Sequence, residues 1–249
     1  MSISFNIYVM SYKRAKITIS HRNFNDCTYV VREFEADEYR DAGITNLLVI
    51  PNGATLKNGA SVNGFMSTFF WILENTPEEV VCIVDDDIKS YHFRCKQGDI
   101  DIMKNYANHK DIVENEIERL AQCLVDLDLG MLCTHPTLNP HSFVSEFEFV
   151  GAPGSTRIVN KKAFKAMFNP SDPATSDVDM ILQELLKNRI VLRTSYFLTG
   201  TLPNLVTQGG TSNSKKIQSD LHLAIKNKWG RYFHYDEEHS FSRIKVKRW

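Results

Sequence analysis

The run Val80-Val81-Cys82-Ile83-Val84 followed by Asp85-Asp86-Asp87 constrains this chain more than any other stretch. Five apolar residues without alternation, four of them β-branched, describe a strand covered on both faces, as in a parallel α/β sheet. In such sheets ligands bind outside the carboxyl ends of the strands, which is where the three aspartates arrive. The two-residue period of a strand sets Asp85 and Asp87 on one side and Asp86 on the other. Asp is common where strands end, because it caps turns and helix starts. Three adjacent carboxylates repel one another unless something neutralises them, so a metal or phosphate site is expected. Hard oxygen ligands suit Mg²⁺ or Mn²⁺, with coordination positions left for substrate phosphates and water.

With 249 residues, 43% hydrophobic and 11% aromatic, the chain can bury a full core as one large α/β domain. The formal net charge of −1 argues against a wholly basic nucleic-acid binder, but the charge is uneven. From Asp99 to Asp128 there are eight acidic and three basic side chains, a balance of −5; from Asn213 to Trp249 there are nine basic and four acidic, a balance of +5. The latter end can meet a polyanion. Five cysteines without a CxxC pair suggest neither a zinc ribbon nor a disulfide framework, and so a reducing compartment. No basic leader and no apolar stretch near the roughly 18 residues of a membrane span are present, so a soluble, cytoplasmic protein is expected.

Strand-like and helix-like segments alternate as in a βαβ sheet. Strands are expected at Phe5 to Met10, Thr28 to Phe34, Asn46 to Ile50 and Val80 to Val84, with a helix from Ser61 ended by Asn75-Thr76-Pro77. Tyr91 to His109 reads as a polar, irregular surface excursion. Asp111 and Glu114 form an acidic capping box for an amphipathic helix that Gly130 terminates. Phe147 to Val150 and Arg157 to Val159 read as short strands around the turn Gly151-Ala152-Pro153-Gly154, and a helix from Asp177 to Asn188 feeds a strand from Ile190 to Leu198. Regular βαβ structure ends at Pro203. In the last segment, Phe241 to Trp249, Arg243, Lys245 and Lys247 share one strand face and Ile244 and Val246 the other. That basic face suits either an anionic substrate or an edge protected from aggregation.

The sequence resembles the nucleotide-sugar-dependent glycosyltransferases of the GT-A fold, whose DxD motif ends a central strand as Asp85-Asp86-Asp87 does here. The resemblance implies a single α/β domain with a mixed, mainly parallel, Rossmann-like sheet flanked by helices. Residues 1–88 would form the nucleotide-binding half, 89–202 the acceptor half and 203–249 a basic tail or lid. It further implies Mn²⁺ or Mg²⁺ on Asp85 and Asp87, and a nucleotide-diphosphate sugar donor near Asp85, Asp86 and the segment Ser11-Tyr12-Lys13-Arg14 after the first strand. Tyr12 would stack on the base and Arg14 meet a phosphate, the alternative being a solvated basic turn. Thr175-Ser176-Asp177-Val178-Asp179 resembles the family's later acidic motif, which implies Asp177 or Asp179 as the base for the acceptor hydroxyl. Capping of the helix start accounts for both carboxylates equally well. Gly209-Gly210-Thr211-Ser212 with Lys215 or Lys216 would fold over the diphosphate, and His222, His234 and His239 stand as alternative metal ligands.

Within that family the pattern is most like the bacteriophage enzymes that decorate hydroxymethylated pyrimidines in DNA. The likeness rests on the short length, Ser11-Tyr12-Lys13-Arg14, Pro51-Asn52-Gly53 before the aspartates, and the Gly-Gly pair followed by a basic, aromatic tail. It implies a DNA acceptor containing hydroxymethylcytosine or hydroxymethyluracil, and action in the host cytoplasm. In the tail, Trp229, Tyr232, Phe233, Tyr235 and Trp249 lie among Lys226, Lys228, Arg231, Arg243, Lys245 and Lys247, a composition that grips phosphates and stacks on bases or, alternatively, packs a core rimmed by solvated lysines. A non-DNA acceptor, a metal-dependent phosphohydrolase and a noncatalytic nucleic-acid-binding module remain alternatives. Lys89 stands where a haloacid-dehalogenase phosphatase would want a hydroxyl.

Overall fold

The computed structural model describes residues 3–94, 101–102, 106–135, 145–149, 154–202, 215–239 and 241–246. In chain order, β1 (Phe5–Met10), β2 (Thr28–Arg32), α1 (Ala36–Asp41), β3 (Leu47–Ile50), α2 (Phe65–Asn75) and β4 (Val80–Asp85) build the first half. Then come β5 (Ile88–Phe93), β6 (Asp101–Ile102), α3 (Tyr106–Asp126), β7 (Met131–His135), β8 (Phe147–Glu148), β9 (Thr156–Asn160), α4 (Asp177–Lys187) and β10 (Leu192–Thr201). α5 (Lys215–Trp229) and the hairpin β11 (Phe233–Asp236) and β12 (Phe241–Ile244) complete the described chain.

Among the described residues a ten-stranded sheet runs β3-β2-β1-β4-β9-β7-β10-β5-β6, with β8 beside β10. β1 to β4 are mutually parallel, β9 is inserted antiparallel, and β7 and β10 resume the first direction. The unbroken apolar run of β4 has a direct cause: Cys82 and Val84 pack with Ile117, Leu120 and Leu124 of α3, while Val81 and Ile83 face Phe69 and Ile72 of α2 and Ile181 of α4. Each fully buried aliphatic side chain contributes about 1.5–3 kcal/mol. A third cluster, Leu182 with Ile225, Phe233 and Tyr235, docks α5 and the hairpin onto α4.

Several expectations are corrected. Tyr91 to Arg94 is no surface excursion: Tyr91 is fully buried in β5, stacked on Phe197 at 5.1 Å and hydrogen-bonded to Thr156 at 2.7 Å. α3 starts before Asp111, and Asp111 and Glu114 cap another segment, accepting from the Asn25 side-chain amide at 2.5 and 2.9 Å. α2 starts at Phe65 rather than Ser61, because Ser67 Oγ accepts from the backbone amides of Asn63 and Gly64 and fixes the helix start there. The buried strand β7 was not anticipated at all. The turn at Gly151-Ala152-Pro153 and the Gly209-Gly210 segment lie outside the described residues.

Gly130 does not end α3 by adopting a left-handed conformation; Asp128, at φ 50°, does that. Gly130 is needed for close approach, since a Cβ there would lie 2.4 Å from Glu184 Oε2 and 2.9 Å from the Phe164 Cα. Gly130→Ala is expected to cost about 1–3 kcal/mol by overpacking, read as a lower denaturation midpoint with unchanged m-value.

Candidate active site

Asp86 is the inward-facing member of the triplet, 3% exposed. Arg14 Nη1 meets its carboxylate at 2.6 Å and Ser11 Oγ donates to it at 2.5 Å. Ser11 is hydrogen-bonded to the Tyr39 hydroxyl, which also accepts from the Arg14 amide. Thr18 and Ser20 donate to the carbonyl oxygens of Asp86 and Asp85. The segment after β1 is thus tied to the end of β4 by side chains. Burial raises the pKa of Asp86, with Ser11 and Arg14 pulling it back. Both Arg14 and Asp86 were expected on the donor; they line the same cavity but face each other as an ion pair.

Asp85 has a different counter-ion. Arg157, the second residue of β9 and only 4% exposed, donates to it at 2.9 Å, its guanidinium lying 5.0 Å from the centroid of the Phe65 ring. Burial pulls the Arg157 pKa down, but Asp85 and Asp177 outweigh it and the net shift is upward. Asp177 opens α4 half-buried; burial pushes its carboxyl up and Arg157 pulls it back. His222 on α5 also feels Asp177, although burial sets the direction of its shift, which is down. Sheet order and the docking of α4 and α5 therefore gather Asp85, Arg157, Asp177 and His222.

Asp87 is half-buried and has no ionic partner among the described residues. Burial first, then the charges of Asp85 and Asp86, push its carboxyl up to about 6. This is the group a cation would relieve. Among the described residues no set of three or more His, Cys, Asp and Glu side chains is arranged to hold a metal. Mg²⁺ sites often rely on one or two carboxylates plus substrate phosphates, so Asp87 with Asp85 fits that chemistry.

From the aspartates a cavity of about 460 Å³ runs past Ser11 and Tyr12 to apolar walls at Val30, Val31 and Ile50, with Arg32, Asn63 and Thr68 at its polar end. Arg32 is fixed by donating to Val62 O at 2.6 Å and Thr68 Oγ1 at 2.8 Å. Tyr12, 44% exposed, stands at the rim edge-on to Phe34 at 6.2 Å. A cavity that combines apolar walls with arginines and carboxylates suits a nucleoside whose phosphates are bridged by a cation.

Asp179 does not join this group. It is buried, pairs with Lys228 at 2.7 Å, and accepts from Trp229 Nε1 at 2.7 Å and Gln183 Nε2 at 2.8 Å. Asp179, expected beside Asp177 as a catalytic carboxylate, joins α5 to α4, its oxygens engaged by Lys228, Trp229 and Gln183. Ser176 caps α4 by accepting from the Asp179 amide at 3.1 Å. His239 pairs with Asp236 at 2.9 Å and His234 packs against Phe241, both on the hairpin. Arg157, Phe65 and Arg32 were not singled out in the sequence. A charged residue inside the strand Thr156-Arg157-Ile158-Val159-Asn160 was the available signal for the first of them.

No protein-family model matches the chain, and no curated protein matches it in sequence. Its structure is similar to glucosyl-3-phosphoglycerate synthase from Mycobacterium tuberculosis, solved with Mn²⁺, uridine-diphosphate-glucose and phosphoglyceric acid: TM-score 0.54 over 97% of this chain and 86% of that one, at 7% identity. The fold is GT-A. A mycobacterial protein gives the same TM-score, 0.54, over 91% of this chain and 73% of that one at 8% identity. Mannosyl-3-phosphoglycerate synthase from Rubrobacter xylanophilus is more distant, with TM-score 0.49 over 92% and 74% at 10% identity. At these identities the likeness speaks for the GT-A architecture alone, and the chemistry rests on the side chains. No helix among the described residues is long and apolar enough to cross a membrane.

The elevated Asp87 carboxyl has a thermodynamic sign. With the folded pKa near 6 above the ordinary value of 3.8, its protonated form favours the native state, a contribution present at low pH and lost as pH rises through 6. In chelator, therefore, Asp87→Asn should melt at or above the wild-type temperature at pH 7, and the difference should shrink toward pH 4. Thermal melts across that range check this; a variant clearly less stable than wild type at pH 7 would contradict it.

Proposed function

We propose that the protein is a divalent-metal-dependent glycosyltransferase that moves a sugar from a nucleotide-diphosphate sugar to a hydroxyl acceptor, a 5-hydroxymethylated pyrimidine in DNA. The observation that carries the enzyme class is the unequal neutralisation of the aspartates that line the cavity. Asp86 has Arg14 and Asp85 has Arg157, while Asp87 is left charged and half-buried. In support, the GT-A architecture is shared with a synthase solved with Mn²⁺ and uridine-diphosphate-glucose.

In this reading Asp87 and Asp85 would hold Mn²⁺ or Mg²⁺, and the ion would supply positive charge against the diphosphate leaving group. Tyr12 stacks at the nucleoside end of the cavity. Asp177 accepts the proton of the acceptor hydroxyl as that oxygen bonds to the anomeric carbon and the bond to the diphosphate breaks, in an inverting transfer. Burial raises the basicity of Asp177, which suits the task. Removing metal with chelator should abolish transfer and Mn²⁺ should restore it. Mass spectrometry of nucleosides from hydroxymethylcytosine or hydroxymethyluracil DNA, incubated with Mn²⁺ and a panel of nucleotide sugars, should find a sugar mass on the modified base that Asp87→Ala loses. Sugar transfer only to other hydroxyl compounds would leave the enzyme class and remove the DNA acceptor.

The DNA acceptor draws its support from the hairpin. Arg243 and Lys245 are exposed, Ile244 packs inward, and the Arg231 guanidinium sits 5.0 Å from the ring centroid of exposed Tyr232. Phe233 and Tyr235 are core residues instead, and Lys228 is occupied by Asp172 and Asp179. Arg243 and Lys245 would contact phosphates, so Arg243→Gln/Lys245→Gln should weaken DNA binding and lower the log–log salt slope by about 2, at roughly 0.9 per phosphate contact. An unchanged slope in fluorescence-anisotropy titrations would take this surface out of the acceptor site.

A further inference from the structure

Arg157 is the one residue described above that faces both halves of the site. It arises from β9, whose antiparallel insertion between β4 and β7 sets Arg157 opposite Ile83 on one side and Cys133 on the other. Its Nη1 holds Asp85, its guanidinium plane lies over Phe65 of the cavity wall, and its Nε is buried without a hydrogen-bond partner. The first turn of α4 brings Asp177 within electrostatic reach of the same guanidinium. A surface lysine would be free to wander; this cation is immobilised by strand pairing, burial and an aromatic face.

We propose that Arg157 is a positioning residue that couples the donor-side carboxylate Asp85 to the acceptor-side carboxylate Asp177, so that one buried guanidinium sets both halves of the site. The inference rests on the glycosyltransferase reading and adds a residue that touches neither reactant. Arg157 keeps Asp85 turned along the cavity, and its fixed charge governs where the Asp177 carboxylate settles. The two carboxylates consequently do not act independently, although no hydrogen bond joins them.

A double-mutant cycle tests this. Arg157→Met retains the stem and removes the charge, Asp177→Asn removes the acceptor-side carboxylate, and kcat/KM for sugar transfer is measured for both single variants and the double variant, with the nucleotide sugar that wild type uses best. Each single change is expected to lower kcat/KM at least tenfold, and the double variant to be no worse than the poorer single one, a coupling of at least tenfold. Arg157→Lys should recover part of the loss, in kcat more than in KM. If Arg157→Met does not fold, the cycle is run with Arg157→Lys, which preserves the buried charge. Arg157→Met/Asp85→Asn, lacking both members of the ion pair, reports by circular dichroism whether folding alone is at stake. Losses that simply multiply, or a Lys variant no better than Met, overturn the proposal while leaving the glycosyltransferase intact. A wild-type protein that shows neither Mn²⁺ binding by electron paramagnetic resonance nor sugar transfer overturns the glycosyltransferase reading, and this inference with it.

Discussion

Like-charge repulsion among Asp85, Asp86 and Asp87 is the constraint to which the rest of the molecule responds. The strand that carries them is completely buried, so water cannot screen the triplet from behind. Two arginines from different parts of the chain answer two of the charges, Arg14 from the segment after β1 and Arg157 from β9. Removing one partner of such a buried pair costs about 3–5 kcal/mol, because the other charge is left without compensation. Asp87 forms an ion pair with neither, and its carboxyl is raised first by burial and then by the charges of Asp85 and Asp86, with Arg14 pulling it part of the way back.

That electrostatic arrangement also shapes the backbone. The segment after β1 is held to the end of β4 by Ser11, Arg14, Thr18 and Ser20, and this fixes Tyr12 at the cavity rim. On the other side, β9 runs against its neighbours and so carries Arg157 into the centre of the sheet. α4 is held in turn by the buried carboxylate of Asp179, which Trp229 and Lys228 of α5 satisfy. Two aspartates two residues apart on α4 thus have different partners. Asp177 feels the charges of Arg157 and Asp85, and Asp179 is held in the joint between two helices.

Much of the first half was legible because its signals are local. The strands β1 to β4, the strand and helix around β10 and α4, and the position of the aspartates follow from periodicity, β-branching and capping residues. β5 and β7 were missed for a shared reason. Ile88-Lys89-Ser90-Tyr91-His92-Phe93 and Met131-Leu132-Cys133-Thr134-His135 carry polar residues that are buried in the sheet, as Ser90, His92 and Thr134 are. The capping box at Asp111 and Glu114 misled because a carboxylate that can cap its own helix can equally cap a loop from elsewhere, here the one containing Asn25. In the tail, sequence composition alone does not separate the aromatic residues that pack from those that are exposed.

The sequence by itself determined that a buried strand delivers three carboxylates to the end of an α/β sheet, since an uninterrupted β-branched run and its charged terminus are local properties of the chain. Only the tertiary structure decided which of those carboxylates is neutralised and by what. Arg14 and Arg157 lie 72 residues from their partners in sequence, and nothing but strand order and register brings them within hydrogen-bonding distance. Charge pairing falls off over a few ångströms, so the chemistry of Asp85, Asp86 and Asp87 is fixed by whichever strand happens to lie beside them.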